Sequence, residues 1–189
     1  MRRPPAPPAP PSLRVLGLAC AAGALGLARP AWAVDPSLQV NATGGYAFAA
    51  TDGGPRRHGG FGGAEVAWVP GEFFALRGGY QAADHRGRGA PLLLHQISLG
   101  ARYQLDVFEY VPWLEASPLL VNQRPGDAEP AWAAGLAVGL GFDRLLDAHW
   151  SVGAAIHLHT YMDEERFPAW LGVGLRLGYR FALGDPFAP

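Results

Sequence analysis

From Ala169 to Phe181 the side chains alternate with a period of two. Leu171, Val173, Leu175, Leu177, Tyr179 and Phe181 fall on one side, and Gly172, Gly174, Arg176, Gly178 and Arg180 on the other. An extended strand turns successive side chains to opposite faces, so this segment shows an apolar face to one environment and a small or basic face to the other. A half-buried strand of a soluble sheet would carry bulky hydrated residues on its polar face. Glycine and arginine instead suit a narrow polar lumen with lipid outside, the arrangement of a small transmembrane barrel.

Seven earlier segments alternate in the same way: 38–50, 61–69, 73–82, 92–104, 107–117, 132–143 and 149–161. Each is close to the roughly 9–11 residues that a tilted strand needs to cross a bilayer. Their connections alternate too. Those at 70–72, 105–106 and 144–148 are short, whereas those at 51–60, 83–91, 119–131 and 162–168 are longer and rich in turn-forming or charged residues. The pattern predicts an all-β fold, a closed antiparallel up-and-down eight-stranded transmembrane barrel. Its first strand pairs with its last, and both chain ends lie on the short-turn side.

Carried through all eight segments, the parity sorts charges and aromatic rings. Glu65, Arg77, Arg102, Glu109, Glu115, Asp143, Arg176 and Arg180 fall on the lumen side, four of each sign. The short turns are expected to set Glu65 opposite Arg77 and Arg102 opposite Glu109. An unpaired buried charge costs several kcal/mol, so a balanced set predicts a salt-bridged, plugged interior. Outward aromatics gather toward the strand ends. Trp68, Phe74, Tyr103, Phe108, Tyr110, Phe142, Trp150, Tyr179 and Phe181 lie at the short-turn end, and Tyr46, Phe48, Tyr80 and Trp132 toward the other. Two such girdles are what a membrane–water interface favours.

Composition alters this picture mainly at the N-terminus. In 189 residues there are 26 glycines and 18 prolines. The one long apolar run lies within the first 33 positions. Arg2, Arg3 and Arg14 precede or enter an Ala/Leu/Gly-rich stretch at 13–27, and Ala31-Trp32-Ala33 matches a cleavage site. Residues 1–33 therefore read as a secretory signal peptide, 34–181 as the barrel, and 182–189 as a short tail. A twin-arginine signal at Arg2-Arg3 lacks the usual flanking residues. Lipidation at Cys20 would want a large aliphatic where Gly17 stands. Cleavage after Ala33 removes the single cysteine, so the mature chain has no disulfide, and it removes four of fifteen basic residues and no acid. Eleven bases then face sixteen acids, a net charge of −5 that gives no reason to expect a nucleic-acid partner.

Candidate chemistry is sparse. His157 and His159 stand at i and i+2 on one strand face, a spacing that with a carboxylate could hold a metal. Filling the lumen with hydrogen-bonded imidazoles is the plainer reading, and no metal or other cofactor is expected. No G-x-S-x-G, phosphate-loop or CxxC pattern occurs. The glycines at 59–63 sit at a loop–strand junction with no helix pattern after them, unlike a nucleotide loop.

Over residues 36–181 the alternation, the leader and the ending Gly178-Tyr179-Arg180-Phe181 resemble those of the small eight-stranded outer-membrane proteins of Gram-negative bacteria, the OmpA/OmpX-like β-barrel superfamily. The resemblance implies an outer-membrane location, contact with outer-membrane lipids, and recognition of Tyr179 and Phe181 by the barrel-assembly machinery. It further implies a monomer with a structural or surface-interaction role and no enzymatic activity. The family's assembly signal usually closes the chain, whereas here Ala182–Pro189 follow. Outer-membrane lipid A deacylases share the barrel and use a His-x-Ser strand pair with a glutamate, but His159 replaces the serine here. A soluble lipocalin-type barrel or an OmpW-type pore for hydrophobic solutes would want an apolar lumen. A small-solute pore, or else a lipid A-modifying esterase on the same barrel, is the alternative function.

Overall fold

The computed structural model describes residues 36–49, 56–87, 91–106, 109–124, 131–163 and 167–183. The signal peptide expected at 1–33, Phe108, and residues 184–189 of the expected tail lie outside the described residues. Eight strands follow one another: β1 Ser37–Ala49, β2 Arg57–Val69, β3 Phe74–Arg86, β4 Leu92–Gln104, β5 Tyr110–Arg124, β6 Ala131–Leu145, β7 Trp150–Tyr161 and β8 Trp170–Ala182. Each pairs antiparallel with its neighbours, and β1 pairs with β8 in a register that sets Leu38 opposite Phe181, so the barrel is closed. A backbone bond from Leu183 N to Pro36 O (2.8 Å) continues that seam past the strand ends. Closure leaves no sheet edge, which is what a β-structure needs where water cannot satisfy its backbone.

Burial follows the sequence parity strand by strand. In β8 the even positions from Trp170 to Arg176 point inward, and Leu171, Val173, Leu175 and Leu177 stay exposed. Ile97, Leu99, Leu114, Leu140 and Val173 belong to the same outward belt. An apolar surface on this scale is far beyond the patches of soluble monomers and has to be covered by something other than water. No helix among the described residues is long and apolar enough to cross a membrane.

The strands run longer than the apolar pattern predicts, chiefly on the long-connection side. Arg57–Gly60 extend β2, Ala83–Arg86 extend β3, and Leu119–Arg124 extend β5. Antiparallel pairing needs only backbone groups, so polar residues continue the ladder once it is started. Pro118 lies inside β5 with its ring outward. The ladder to β4 is interrupted opposite it, between the pairs Ser98–Leu119 and Ala101–Ala116, since proline has no N–H to give.

The short turns are one to three residues longer than predicted at two sites. Residues 70–73 join β2 to β3, and 105–109 join β4 to β5. Asp106 N donates to Glu72 O (3.2 Å) and Leu105 N to Pro112 O (3.1 Å), which folds the second turn back along the barrel rim. Glu65 lies opposite Gly79, with Arg77 two pairs along on the same face, and Arg102 lies opposite Glu115. The expected Arg102–Glu109 pairing does not occur.

Candidate functional site: the lumen and its charge layer

Midway along the barrel, charged side chains from six strands converge into a layer of fixed charge. Glu65 on β2 accepts from Arg77 of β3 (2.9 Å), Arg102 of β4 (2.7 Å) and Arg176 of β8 (2.6 Å), and also from Asn41 of β1 (3.1 Å). Glu115 on β5 accepts from Arg77, and from Arg102 through both Nε (3.0 Å) and Nη2 (2.6 Å). Arg176 reaches Asp143 on β6 at 3.0 Å. Three acids and three arginines thus neutralise one another inside a wall that excludes bulk water, and all six side chains are buried or nearly so. The geometry is that of charge-assisted bonds, short and forked.

Trp113 lies beneath this layer. The guanidinium carbons of Arg102 and Arg176 stand 4.6 and 5.2 Å from its ring centroid, so the indole face supplies a second, non-ionic partner to both cations. Trp113 and Asn41 were not singled out from the sequence, although both share the inward parity of their strands. At the short-turn mouth Arg180 donates to Asp106 (2.5 Å) and links β8 to the β4–β5 turn.

Glu109 is the exception among the sequence-assigned lumen charges. It precedes β5 on the outside of the barrel and pairs with Arg144 at 2.8 Å, the two side chains 56% and 53% exposed. The cause is the five-residue turn, which starts β5 at Tyr110 and places Glu109 beyond the rim. Arg102 takes Glu115 instead.

Toward the long connections the lumen becomes aromatic and apolar. Trp170, Phe167, Phe61, Leu94, Val121 and Tyr161 form one buried cluster. His159 stacks on Trp170 with centroids 3.9 Å apart and rings within 6° of parallel, while His85 meets the same indole edge-on at 5.4 Å. A chain of donors assigns the histidine's tautomer. Trp170 Nε1–H donates to the Tyr161 hydroxyl (2.8 Å), and that hydroxyl spends its single proton on Gln96 Oε1 (3.2 Å). Gln96 Nε2 is then the donor to Gln81 Oε1 (2.5 Å) and to His159 Nδ1 (3.1 Å). His159 therefore accepts at Nδ1 and, when neutral, carries its proton on Nε2.

His157 turns its Nε2 to Glu115 Oε1 at 3.2 Å. The two imidazoles are 6.1 Å apart, and each is oriented by a different side chain. With the Nε2 of His159 protonated, the pair does not present two free lone pairs to one cation. No group of three His, Cys, Asp or Glu among the described residues is arranged to hold a metal. Both rings are buried in the lumen and face away from the outer surface. Two spaces among the described residues are small. One of about 20 Å³ lies by Gln39, Asn41, Asp143 and Arg180, and one of about 30 Å³ by Thr43, Arg77, Gln96 and His157. Each has room for a water or two.

On the outer surface the rings form a belt at the short-turn end. Phe74 meets Tyr103 (5.4 Å), and Tyr179 packs between Trp150 (4.9 Å) and Phe181 (4.6 Å). Trp68, Tyr110 and Phe142 are exposed at the same height. Tyr46, Tyr80 and Trp132 are exposed nearer the other end.

No protein-family model matches the chain, and no curated protein matches its sequence. Its fold matches solved structures. The N-terminal β-barrel domain of Pseudomonas aeruginosa OprF superposes with a TM-score of 0.58 at 15% identity, covering 77% of this chain and 97% of that one. Neisserial surface protein A gives 0.58 at 16% identity, covering 79% and 99%. Ail, the attachment invasion locus protein of Yersinia pestis, gives 0.53 at 14% identity, covering 78% and 100%. The fold is that of the small eight-stranded outer-membrane barrels.

Proposed function

We propose that the chain is a monomeric integral protein of the Gram-negative outer membrane, secreted by cleavage after Ala33, with a closed lumen and no enzymatic activity. The long connections then face outward and the short turns face the periplasm, as in bacterial barrels generally. Its role is structural or one of surface interaction, exerted through the segments 50–56, 87–91, 125–130 and 162–169. Tyr179 and Phe181 on β8 serve as the assembly signal, and the residues after Phe181 are tolerated as a tail.

The observation that carries this reading is the six-charge layer of Glu65, Glu115, Asp143, Arg77, Arg102 and Arg176, set inside an apolar outer belt. A lumen whose charges are spent on one another offers an ion neither a hydrated path nor an unpaired counter-charge. Likewise, among the described residues His157 and His159 find their polar partners in Glu115 and Gln96, not in a serine or threonine hydroxyl. Planar-bilayer recording of the purified protein tests closure, with no steady conductance expected. A steady ohmic current would replace the closed barrel by a pore. Fractionation with heat-modifiable gel mobility tests the location independently.

A further inference from the structure

The sequence around the long connections is electrically lopsided. Residues 50–58 and 84–91, around the β1–β2 and β3–β4 connections, contain Arg56, Arg57, Arg86 and Arg88 against Asp52 and Asp84. Residues 122–131 and 161–168, around the β5–β6 and β7–β8 connections, contain Arg124 and Arg166 against Asp127, Glu129, Asp163, Glu164 and Glu165. The connections of the β1–β4 half are basic in sequence and those of the β5–β8 half acidic.

The outer wall below the basic half is also unlike the rest of the belt. Two imidazoles face outward there, each bonded at Nδ1 to a tyrosine hydroxyl: His58 to Tyr46, and His95 to Tyr80 at 2.6 Å. The Tyr80 and His95 rings are stacked, 6.1 Å apart. In neither case does the Nδ1 bond use Nε2, which is left for a partner outside the barrel. Polar nitrogens turned toward hydrocarbon are costly unless they lie at headgroup depth or meet a polar ligand.

Between the two pairs, β2 presents only Gly60, Gly62 and Ala64 outward. Tyr46 stands opposite Gly60, and Tyr80 opposite Ala64. The result is a shallow apolar groove with an aromatic wall on each side. At its upper end Arg86 lies opposite His58 and is bonded to Asp84 at 2.8 Å. Acyl-sized floor, ring walls and basic head are thus stacked in one sector.

We infer that this sector binds a membrane lipid with a phosphorylated headgroup, one acyl chain lying along β2 and the phosphate meeting Arg86 and His58. The inference rests on the outer-membrane reading above. Charge complementarity selects the occupant. An anionic amphiphile matches a basic head over an apolar groove, and basic clusters at membrane interfaces attract anionic headgroups. Free phosphate would use the rim alone and gain nothing from the groove.

The test uses the full barrel folded in dodecylmaltoside micelles, with heat-modifiable mobility checked first for every variant. Native mass spectrometry then compares lipid A carrying two phosphates, the same lipid dephosphorylated, and inorganic phosphate. Phosphorylated lipid should bind in preference to both. Arg86→Gln should weaken it about fivefold, the factor expected for one arginine at an anionic interface. Gly62→Leu should also weaken it by filling the groove. A side chain there is free to form, the nearest atom to an added Cβ being Thr43 O at 3.9 Å. Ala116→Leu, outward on β5, should change nothing. Equal binding of the dephosphorylated lipid, or indifference to both Arg86→Gln and Gly62→Leu, overturns the site. Binding of inorganic phosphate as tight as that of the lipid overturns it in favour of a simple anion site, and self-association abolished by Arg86→Gln overturns it in favour of a second copy. A wild-type chain without heat-modifiable mobility would instead sink the membrane reading itself, and this inference with it.

Discussion

Arg102→Met is the sharpest probe of the charge layer. Arg102 is 1% exposed and joins both central acids, Glu65 at 2.7 Å and Glu115 at 2.6 and 3.0 Å, while lying over Trp113. Methionine fills much of the volume but leaves three acids facing two arginines, a net buried charge of −1. Removing one partner of a buried ion pair typically costs about 3–5 kcal/mol, because the stranded charge cannot recover its hydration. Arg144→Met removes an equally short bond, 2.8 Å to Glu109, but both groups are about half exposed, and such pairs contribute about 0–1 kcal/mol. The double variant Arg102→Met/Glu115→Gln restores neutrality and should cost clearly less than the sum of its singles. Urea unfolding in lipid vesicles, followed by tryptophan fluorescence and by gel mobility, measures all four; coincidence of the two probes licenses the free energies. Should Arg102→Met cost under about 1 kcal/mol, or no more than Arg144→Met, the layer would not be dry and the reasoning above would fail.

Four further outcomes are expected. Leu175→Arg, at a position 69% exposed near mid-strand, should cost about 2–4 kcal/mol in the same assay, while the lumen substitution Gln104→Arg should not follow that depth rule. Equal effects would remove the lipid-facing assignment. Trp170→Ala should lose about 3–5 kcal/mol, because the ring that stacks on His159 and packs on Phe61 leaves a cavity; near-neutral unfolding would contradict the packed cap. Gly100→Val should prevent folding, since a Cβ there meets Ser117 and the Ala116 carbonyl, whereas Gly62→Val should fold normally by gel shift. Finally, Asp147 accepts from the backbone N–H of His149 and Trp150, both at 2.7 Å, and those bonds, Trp150 foremost, hold its carboxyl below the ordinary 3.8. A depressed carboxyl stabilises the β6–β7 turn above its unfolded pKa and loses that contribution as pH falls through the folded value. Amide exchange at His149 and Trp150 should therefore accelerate only on acidification below the carboxylate range, and Asp147→Asn should flatten the dependence.

The barrel was legible because its alternation is enforced twice, by lipid outside and by a narrow lumen inside. A one-residue slip in β2 or β8 would expose Glu65 or Arg176 to hydrocarbon, so parity carries more information than in a soluble sheet. Partner choice was less legible because it depends on turn length. Counting two residues at Leu105-Asp106 put Arg102 against Glu109, whereas Gln104 pairs first with Trp113, so residues 105–112 separate the paired ends and the arginine goes to Glu115. Backbone bonds from residues 105 and 106 set that turn, and they leave no mark on hydrophobic spacing. The extent of β5 was hidden for a related reason. Pro118 reads as a strand end, yet its ring faces outward and only the ladder to β4 is broken there. Trp113 and Asn41 were recoverable in principle, since both follow the inward parity. Trp170 was harder, for an indole beside glycines resembles an interface anchor until its hydrogen bond to Tyr161 is seen.

Glu65 draws its arginines from β3, β4 and β8, and the Arg176 that reaches it also holds Asp143 on β6. No contiguous run of strands shorter than β2 to β8 contains a complete set of these partners. A half-assembled sheet must therefore keep its lumen arginines hydrated, and expelling that water is deferred until the last strand docks against the first. The order of assembly follows. The outer belt can reach lipid strand by strand, but the interior dries in one final, all-or-none step, at which Arg180 comes within reach of Asp106 across the mouth. A chain cut before Arg176 would be left with acids that nothing on the remaining strands can fully answer, and would be expected to stall open and be open to proteolysis.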